Sequence, residues 1–177
     1  RVDPDFKRVY NVETTAGIQH EVLPRVSVSA NWYRRTFHRL RVTDNLLRTM
    51  SDYIPFNIFN PMDGKPFTIY DVSPAAQRLV DNFDTNAGSE RTHVYTGYDL
   101  TVQARLPRGG SLFGGLVTER NLRNICDEPD DPNMLLYCDD AANDIPYRPT
   151  LKMAGTYPLV WGISVSMAFQ SMAGRPI

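Results

Sequence analysis

Long apolar runs are missing from this chain. No stretch approaches the ~18 consecutive apolar residues that a membrane-spanning helix needs, which excludes a helical membrane protein. A dominant sign of charge is missing too. Lys and Arg number 19 against 20 Asp and Glu, for a formal net charge of -1, so no one-sided field steers the chain toward nucleic acid or another polyanion. The opening RVDPDFKRVYNVE lacks the charged-then-apolar pattern of a secretory leader, which leaves a mature or truncated secreted product open. Catalytic signatures are absent as well: there is no G-x-S-x-G elbow, no H-E-x-x-H, no glycine-rich phosphate loop and no metal-spaced Cys/His set. The three histidines, His20, His38 and His93, fall on or beside proposed strands without ligand-like spacing and read as structural or solvated. Cysteine is scarce. The two present, Cys126 and Cys138, enclose a short acidic segment, a spacing that suits a local disulfide in an oxidising compartment.

What is present is alternation. Val26, Val28, Ala30 and Trp32 interleave with Ser27, Ser29, Asn31 and Tyr33, the period-2 pattern of a strand with one apolar and one polar face. Leu23-Pro24-Arg25 makes the turn before it, with proline at a strand end, where its missing N-H is tolerated. Tyr98, Leu100, Val102 and Ala104 interleave likewise with Asp99, Thr101, Gln103 and Arg105, and Gly109-Gly110 closes that hairpin. A third hairpin runs through LKMAGTYPLVWGISVSMAFQS, with Ile163, Val165 and Met167 opposite in phase to Ser164 and Ser166. The expected strands are 10–22, 26–42, 93–106, 111–124, 148–158 and 162–172. In the fourth of these, Gly114 and Gly115 leave the phase open.

Two long connections separate the hairpins. Residues 43–92 hold PFNIFNPMDGKPF and an expected short helix, with Ser73 as N-cap and Pro74 at its first position. Residues 124–147 are acidic, and the two cysteines would clasp them if bridged, the alternative being two free thiols. Loops this long are usually functional or mobile. Tight turns therefore lie at one end of the strands and long connections at the other.

With 177 residues, 42% of them hydrophobic, the chain can form one domain, read as a single all-β segment over 1–177. A soluble sandwich would carry many charges on its polar faces, whereas here those faces are mostly Ser, Thr, Asn, Gln and Ala. Short turns, long loops and aromatics near the strand ends are the pattern of an outer-membrane barrel. Val26, Val28, Ala30, Trp32, Leu100, Val102, Ala104, Ile163, Val165 and Met167 are expected to face lipid, and Ser27, Ser29, Thr101, Gln103, Ser164 and Ser166 a lumen. The strings GIQHEVLPRVSVSANWYRRTF, VTDNLL, VYTGYDLTVQARLPRGG and YPLVWGISVSMAFQSMAG resemble the late barrel region of TonB-dependent-receptor-like outer-membrane proteins, of the kind that begins with a carboxypeptidase-regulatory-like domain. The resemblance runs from about Val9 to the end and rests on turn motifs and strand phasing. It implies the bacterial outer membrane, a barrel of about 22 strands with a luminal plug, and a chain that is one piece of that barrel. Its implied partners are outer-membrane lipid, the remainder of the barrel and a small ligand, with no nucleic acid.

Two clusters carry whatever local chemistry there is. Arg34, Arg35, Arg39 and Arg41 lie toward the long-loop end, where guanidiniums can meet lipopolysaccharide phosphates or an anionic ligand; a solvated strand extension is the preferred reading. In the acidic loop, Asp127, Glu128, Asp130 and Asp131 precede PNMLLY, and Asp139, Asp140 and Asp144 follow it. A Cys126–Cys138 bridge would draw the two groups together, and calcium, with its six to eight flexible oxygen ligands, is the cofactor such a set could hold. The spacing is not that of an EF-hand, and a solvated acidic loop is preferred. The functional expectation is an outer-membrane receptor or transporter segment that binds ligand through external loops without catalysis. The alternative is a free-standing secreted or periplasmic hydrolase, lactonase- or glycosidase-like, using carboxylates with or without calcium.

Overall fold

The computed structural model describes residues 1–174. Every regular element in it is a strand or a single 3-10 turn, and the strand registers are antiparallel. The strands are β1 (Tyr10–Leu23), β2 (Val26–His38), β3 (Arg41–Asn45), β4 (Tyr53–Phe59), β5 (Pro66–Val72), β6 (Asn82–Asn86), β7 (Thr92–Arg105), β8 (Ser111–Asn124), β9 (Arg148–Pro158) and β10 (Ser164–Met172). The chain divides into two compact units.

The first unit gathers Val12–Thr36, Val94–Asn121 and the chain from Asp144 onward. It holds most of a six-stranded sheet in the order β1-β2-β7-β8-β9-β10, with β1 and β10 at its edges. Register decides which side chains share a face, because residues directly opposite each other point the same way. Val28 lies opposite Val102, Ala30 opposite Leu100 and Trp32 opposite Tyr98, so one face is apolar. The intervening pairs, Ser27 with Gln103, Ser29 with Thr101 and Asn31 with Asp99, make the other face polar. The phase of β8 is fixed by its partner: Leu112 faces Gly155, which faces Met167, and Leu116 faces Leu151. Phe113, Gly115, Val117 and Glu119 therefore join the polar side. Gly115 is needed there, since a β-carbon would come within 2.7 Å of the Leu100 carbonyl oxygen.

Among the described residues nothing in this unit buries the apolar face. Leu100 is 46% exposed, Val165 51% and Met167 73%. Among the described residues, apart from Gly97 and Gly110, only Ala76 and Asn45 are buried, and both belong to the other unit. The sheet's cohesion comes from its ladders and from side-chain bonds on the polar face.

The second unit gathers Arg1–Asn11, Phe37–His93 and Leu122–Asn143. It contains two small sheets, β3 with β6 and β4 with β5. Two expectations change here. The strand expected over 26–42 stops at His38: Arg39 takes φ 55, which turns the chain, and Arg41 restarts it in another sheet. The helix expected after Ser73 does not form. Residues 73–79 make successive turns instead, Ala76 N-H to Ser73 O at 2.9 Å and Leu79 N-H to Ala76 O at 3.0 Å. Such a short segment does not repay helix nucleation, and its ends are committed elsewhere: Ser73 N-H donates to Asp52 O at 2.8 Å, and Leu79 O accepts from the Asn45 amide at 2.8 Å.

Candidate functional site

The long connections meet in the second unit, and the acidic loop is its organising piece. Cys126 and Cys138 are bridged, with their α-carbons 4.8 Å apart. Around the bridge the loop's two ends zip together. Ile125 N-H donates to Cys138 O at 2.8 Å, Asp140 N-H to Arg123 O at 2.9 Å, and Arg123 N-H to the Asp140 carboxylate at 2.9 Å. The loop body then reaches outward through side chains. Asp127 and Glu128 hold Arg91 at 2.8 and 3.1 Å, and the Arg91 side chain is only 11% exposed. The Asp130 carboxylate accepts the Asn45 backbone N-H at 2.7 Å. Asn133 bonds both backbone groups of Tyr70 at 2.8 Å, so its amide substitutes for a strand partner along β5.

Asn45 is the counterpart hub. Besides its N-H bond to Asp130, its side chain donates to Leu79 O and accepts from Asp81 N-H at 2.9 Å. One acidic loop thus ties to β3, to β5 and to the segment before β7. Burial raises the Glu128 carboxyl above its usual range, against the pull of Arg91.

The candidate calcium set is spread among these duties. Asp127 pairs with Arg91, Asp130 caps Asn45, Asp131 accepts Asn133 N-H at 2.9 Å, Asp139 accepts Ala141 N-H at 2.9 Å, and Asp140 holds Arg123. Among the described residues no group of three or more His, Cys, Asp or Glu side chains stands ready to hold a metal.

The four candidate arginines do not converge either. Arg34 and Arg35 are neighbours on β2 and point to opposite faces; Arg34 is exposed, and Arg35 pairs with Glu13. Arg39 lies over the Tyr10 ring, 5.3 Å from its centroid. Arg41 pairs with Asp84 at 2.8 Å. The Thr43 hydroxyl, and then Arg41, hold the Asp84 carboxyl below its usual range.

On the sheet's polar face, Asp99 accepts from Asn31 at 2.7 Å and from the Tyr33 hydroxyl at 2.6 Å, Ser29 bonds Thr101, and Tyr95 donates to Glu119 at 3.1 Å. Beyond them lies a hollow of about 690 Å³ whose lining includes Gln103, Phe113, Glu119, Lys152 and Gln170. Sequence reading missed Arg91, Asn45 and Asn133. Their roles depend on contacts 36 to 85 residues away, and no local pattern marks them. Comparison with known protein families, with curated proteins and with solved structures finds no match.

Proposed function

We propose that this chain is a segment of a bacterial outer-membrane β-barrel, of the TonB-dependent-receptor-like kind, that serves a receptor or transporter and meets its ligand through the long connections rather than catalysing a reaction. The observation that carries this reading is the division of the six-stranded sheet into a continuous exposed apolar face and a hydrogen-bonded polar one. An apolar face of this extent is a liability in water, and two open edges add to it. Lipid outside and a polar lumen inside remove the first, and neighbouring strands of a larger barrel remove the second. Trp32 and Tyr98, opposite each other where the apolar row of β2 and β7 gives way to Arg34 and Thr96, and Tyr157 near the turn end of β9 support the same orientation, as aromatics gather near membrane interfaces. The ties from the acidic loop support a ligand-facing role for the second unit, since a loop that must recognise something gains from being preorganised.

Nitroxide labels at Val102 and Gln103 in detergent test the proposal. A lipid-soluble quencher should reach the label at 102 and spare the one at 103. Equal quenching, together with a monodisperse chain in detergent-free buffer, would sink the membrane reading and favour the soluble hydrolase.

A further inference from the structure

The turn end of the sheet has a feature the membrane reading does not require. Two of its turns share one backbone plan. In Leu106-Pro107-Arg108-Gly109-Gly110, Leu106 N-H donates to Gly110 O at 2.8 Å and Gly110 N-H to Pro107 O at 3.4 Å. In Leu159-Val160-Trp161-Gly162-Ile163 the corresponding distances are 2.7 and 3.4 Å. Both place an L-residue left-handed at the tip, Arg108 at φ 60, ψ 19 and Trp161 at φ 60, ψ 28. The β1–β2 turn does the same with Arg25 at φ 72. Glycine would adopt these conformations without strain, yet each tip carries a large side chain.

The three turns lie side by side. Arg105 N-H donates to Arg25 O at 2.9 Å, and the Gly110 backbone packs against Tyr157 and Thr156 at the end of β9. Arg25 and Arg108 are exposed, and neither has an ion-pair partner among the described residues. Arg105 continues the polar row of Asp99, Thr101 and Gln103. Among the described residues the carboxylate at this end is Glu21, which accepts the Arg25 backbone N-H at 2.7 Å. Two guanidiniums against one carboxylate leave an excess of positive charge. Beside it Trp161 stands 91% exposed, flanked by Leu159 and Val160 at 49% and 57%. An indole beside unpaired guanidiniums matches a layer with an apolar side and an anionic side.

We propose that this turn end binds anionic glycerophospholipid headgroups, with Arg25 and Arg108 on the phosphates and Trp161 seated in the headgroup layer. The proposal rests on the membrane reading above and adds a lipid preference to it. A basic residue at an anionic surface multiplies partitioning roughly five-fold, so two give roughly twenty-five-fold.

The full chain carrying Trp32→Phe keeps Trp161 as its sole indole, since the sequence has two tryptophans. It is partitioned into vesicles of phosphatidylcholine alone and of equimolar phosphatidylcholine and phosphatidylglycerol. The expected result is a preference for the mixed vesicles of roughly twenty-five-fold that fades with added salt, and stronger Trp161 quenching by brominated phosphatidylglycerol than by brominated phosphatidylcholine. Arg25→Gln/Arg108→Gln should abolish the preference, whereas Arg105→Gln, on the polar face, should leave it in place. Arg108→Gly, which relieves a strained tip, should lose roughly five-fold of the preference while the fold becomes no less stable. Equal partitioning into both vesicles, or a preference that survives the double change, overturns the lipid preference and leaves the membrane reading standing. Failure to associate with either vesicle overturns both.

Discussion

Reducing the Cys126–Cys138 bridge should loosen two backbone amides far from it in sequence, those of Asn45 and Tyr70. Both donate to side chains inside the bridged loop, to Asp130 at 2.7 Å and to Asn133 at 2.8 Å. The bridge spans a sequence separation of 12. On the chain-entropy relation a loop of that length is worth about 3 kcal/mol of restricted freedom, on the order of a hundred-fold in the loop's opening equilibrium. The four-strand part of the second unit has little else to lean on. Ala76 and Asn45 are its buried residues, so the loop's polar ties hold β3 and β5 in place of a packed core.

Amide hydrogen exchange followed residue by residue reads this directly. In the oxidised chain, Asn45 and Tyr70 should exchange slowly. On reduction, or in Cys126→Ser/Cys138→Ser, both should accelerate by up to about a hundred-fold, while the β2–β7 ladder amides keep their rates as an internal control. If thiol titration finds the bridge reduced and the Asn45 and Tyr70 amides exchange as before, the loop is not what orders the second unit, and the case for a preorganised ligand-facing surface goes with it.

Arg91→Met should cost about 1–2 kcal/mol in local opening of the loop: it strands Asp127 and Glu128, and their 21% and 15% side-chain exposure trims the full cost of an uncompensated buried charge. Because burial already raises Glu128, acidification should restore part of the loss by protonating it, seen as recovered amide protection over 125–128. Asp84 works in the opposite direction. Its carboxyl is held below the ordinary aspartate value of 3.8, so its contribution is complete above that value and is lost as pH falls through the lowered one; Asp84→Asn should remove this acid sensitivity from the β3–β6 pairing, followed by the NMR signals of Thr43 and Thr85. Millimolar calcium should leave amide protection in the acidic loop unchanged. A chelator-reversible gain that disappears in Asp130→Asn/Asp131→Asn/Asp139→Asn/Asp140→Asn would establish a metal site there.

The sheet was legible because its signal is local. Alternation between Tyr98 and Arg105 needs no distant residue to interpret it, and the turns at Pro24 and Gly109 bound the strands, so β1, β7, β8 and β9 match expectation to within a residue or so at each end. The 43–92 region was harder. Asp63-Gly64 between IFNPM and KPFTIY is hairpin-turn chemistry, and Gly64 indeed takes φ 70; the prolines at 55 and 66 obscured it, although each sits where a two-stranded sheet can accept one. The acidic loop was legible as a unit and illegible in its purpose. Asp127, Asp130, Asp131, Asp139 and Asp140, which look like a shared cation site in sequence, are in three dimensions individually paired with an arginine or a backbone N-H, and the long-range pairings of Asp127 with Arg91 and Asp130 with Asn45 are set by the fold as a whole.

The two matched turns carry that lesson one step further. Pro-Arg-Gly and Val-Trp-Gly share no side chain but the glycine, and only their dihedrals reveal one design: an L-residue at φ 60 followed by a glycine at φ 84 or 73. The glycine in second place is required by its conformation. The residue in first place takes nearly the same φ at a cost of about 1 kcal/mol that glycine would avoid. A turn under selection for stability alone would therefore carry glycine at both positions. Arginine and tryptophan at the first position place the charge and the indole at the outermost point of the sheet, where they contribute almost nothing to packing and reach furthest toward whatever surface lies beyond. The strain thus separates two explanations of these side chains. If they are merely tolerated, substituting glycine improves the chain in every respect; if they bind, the same substitution stabilises the turn and weakens the attachment.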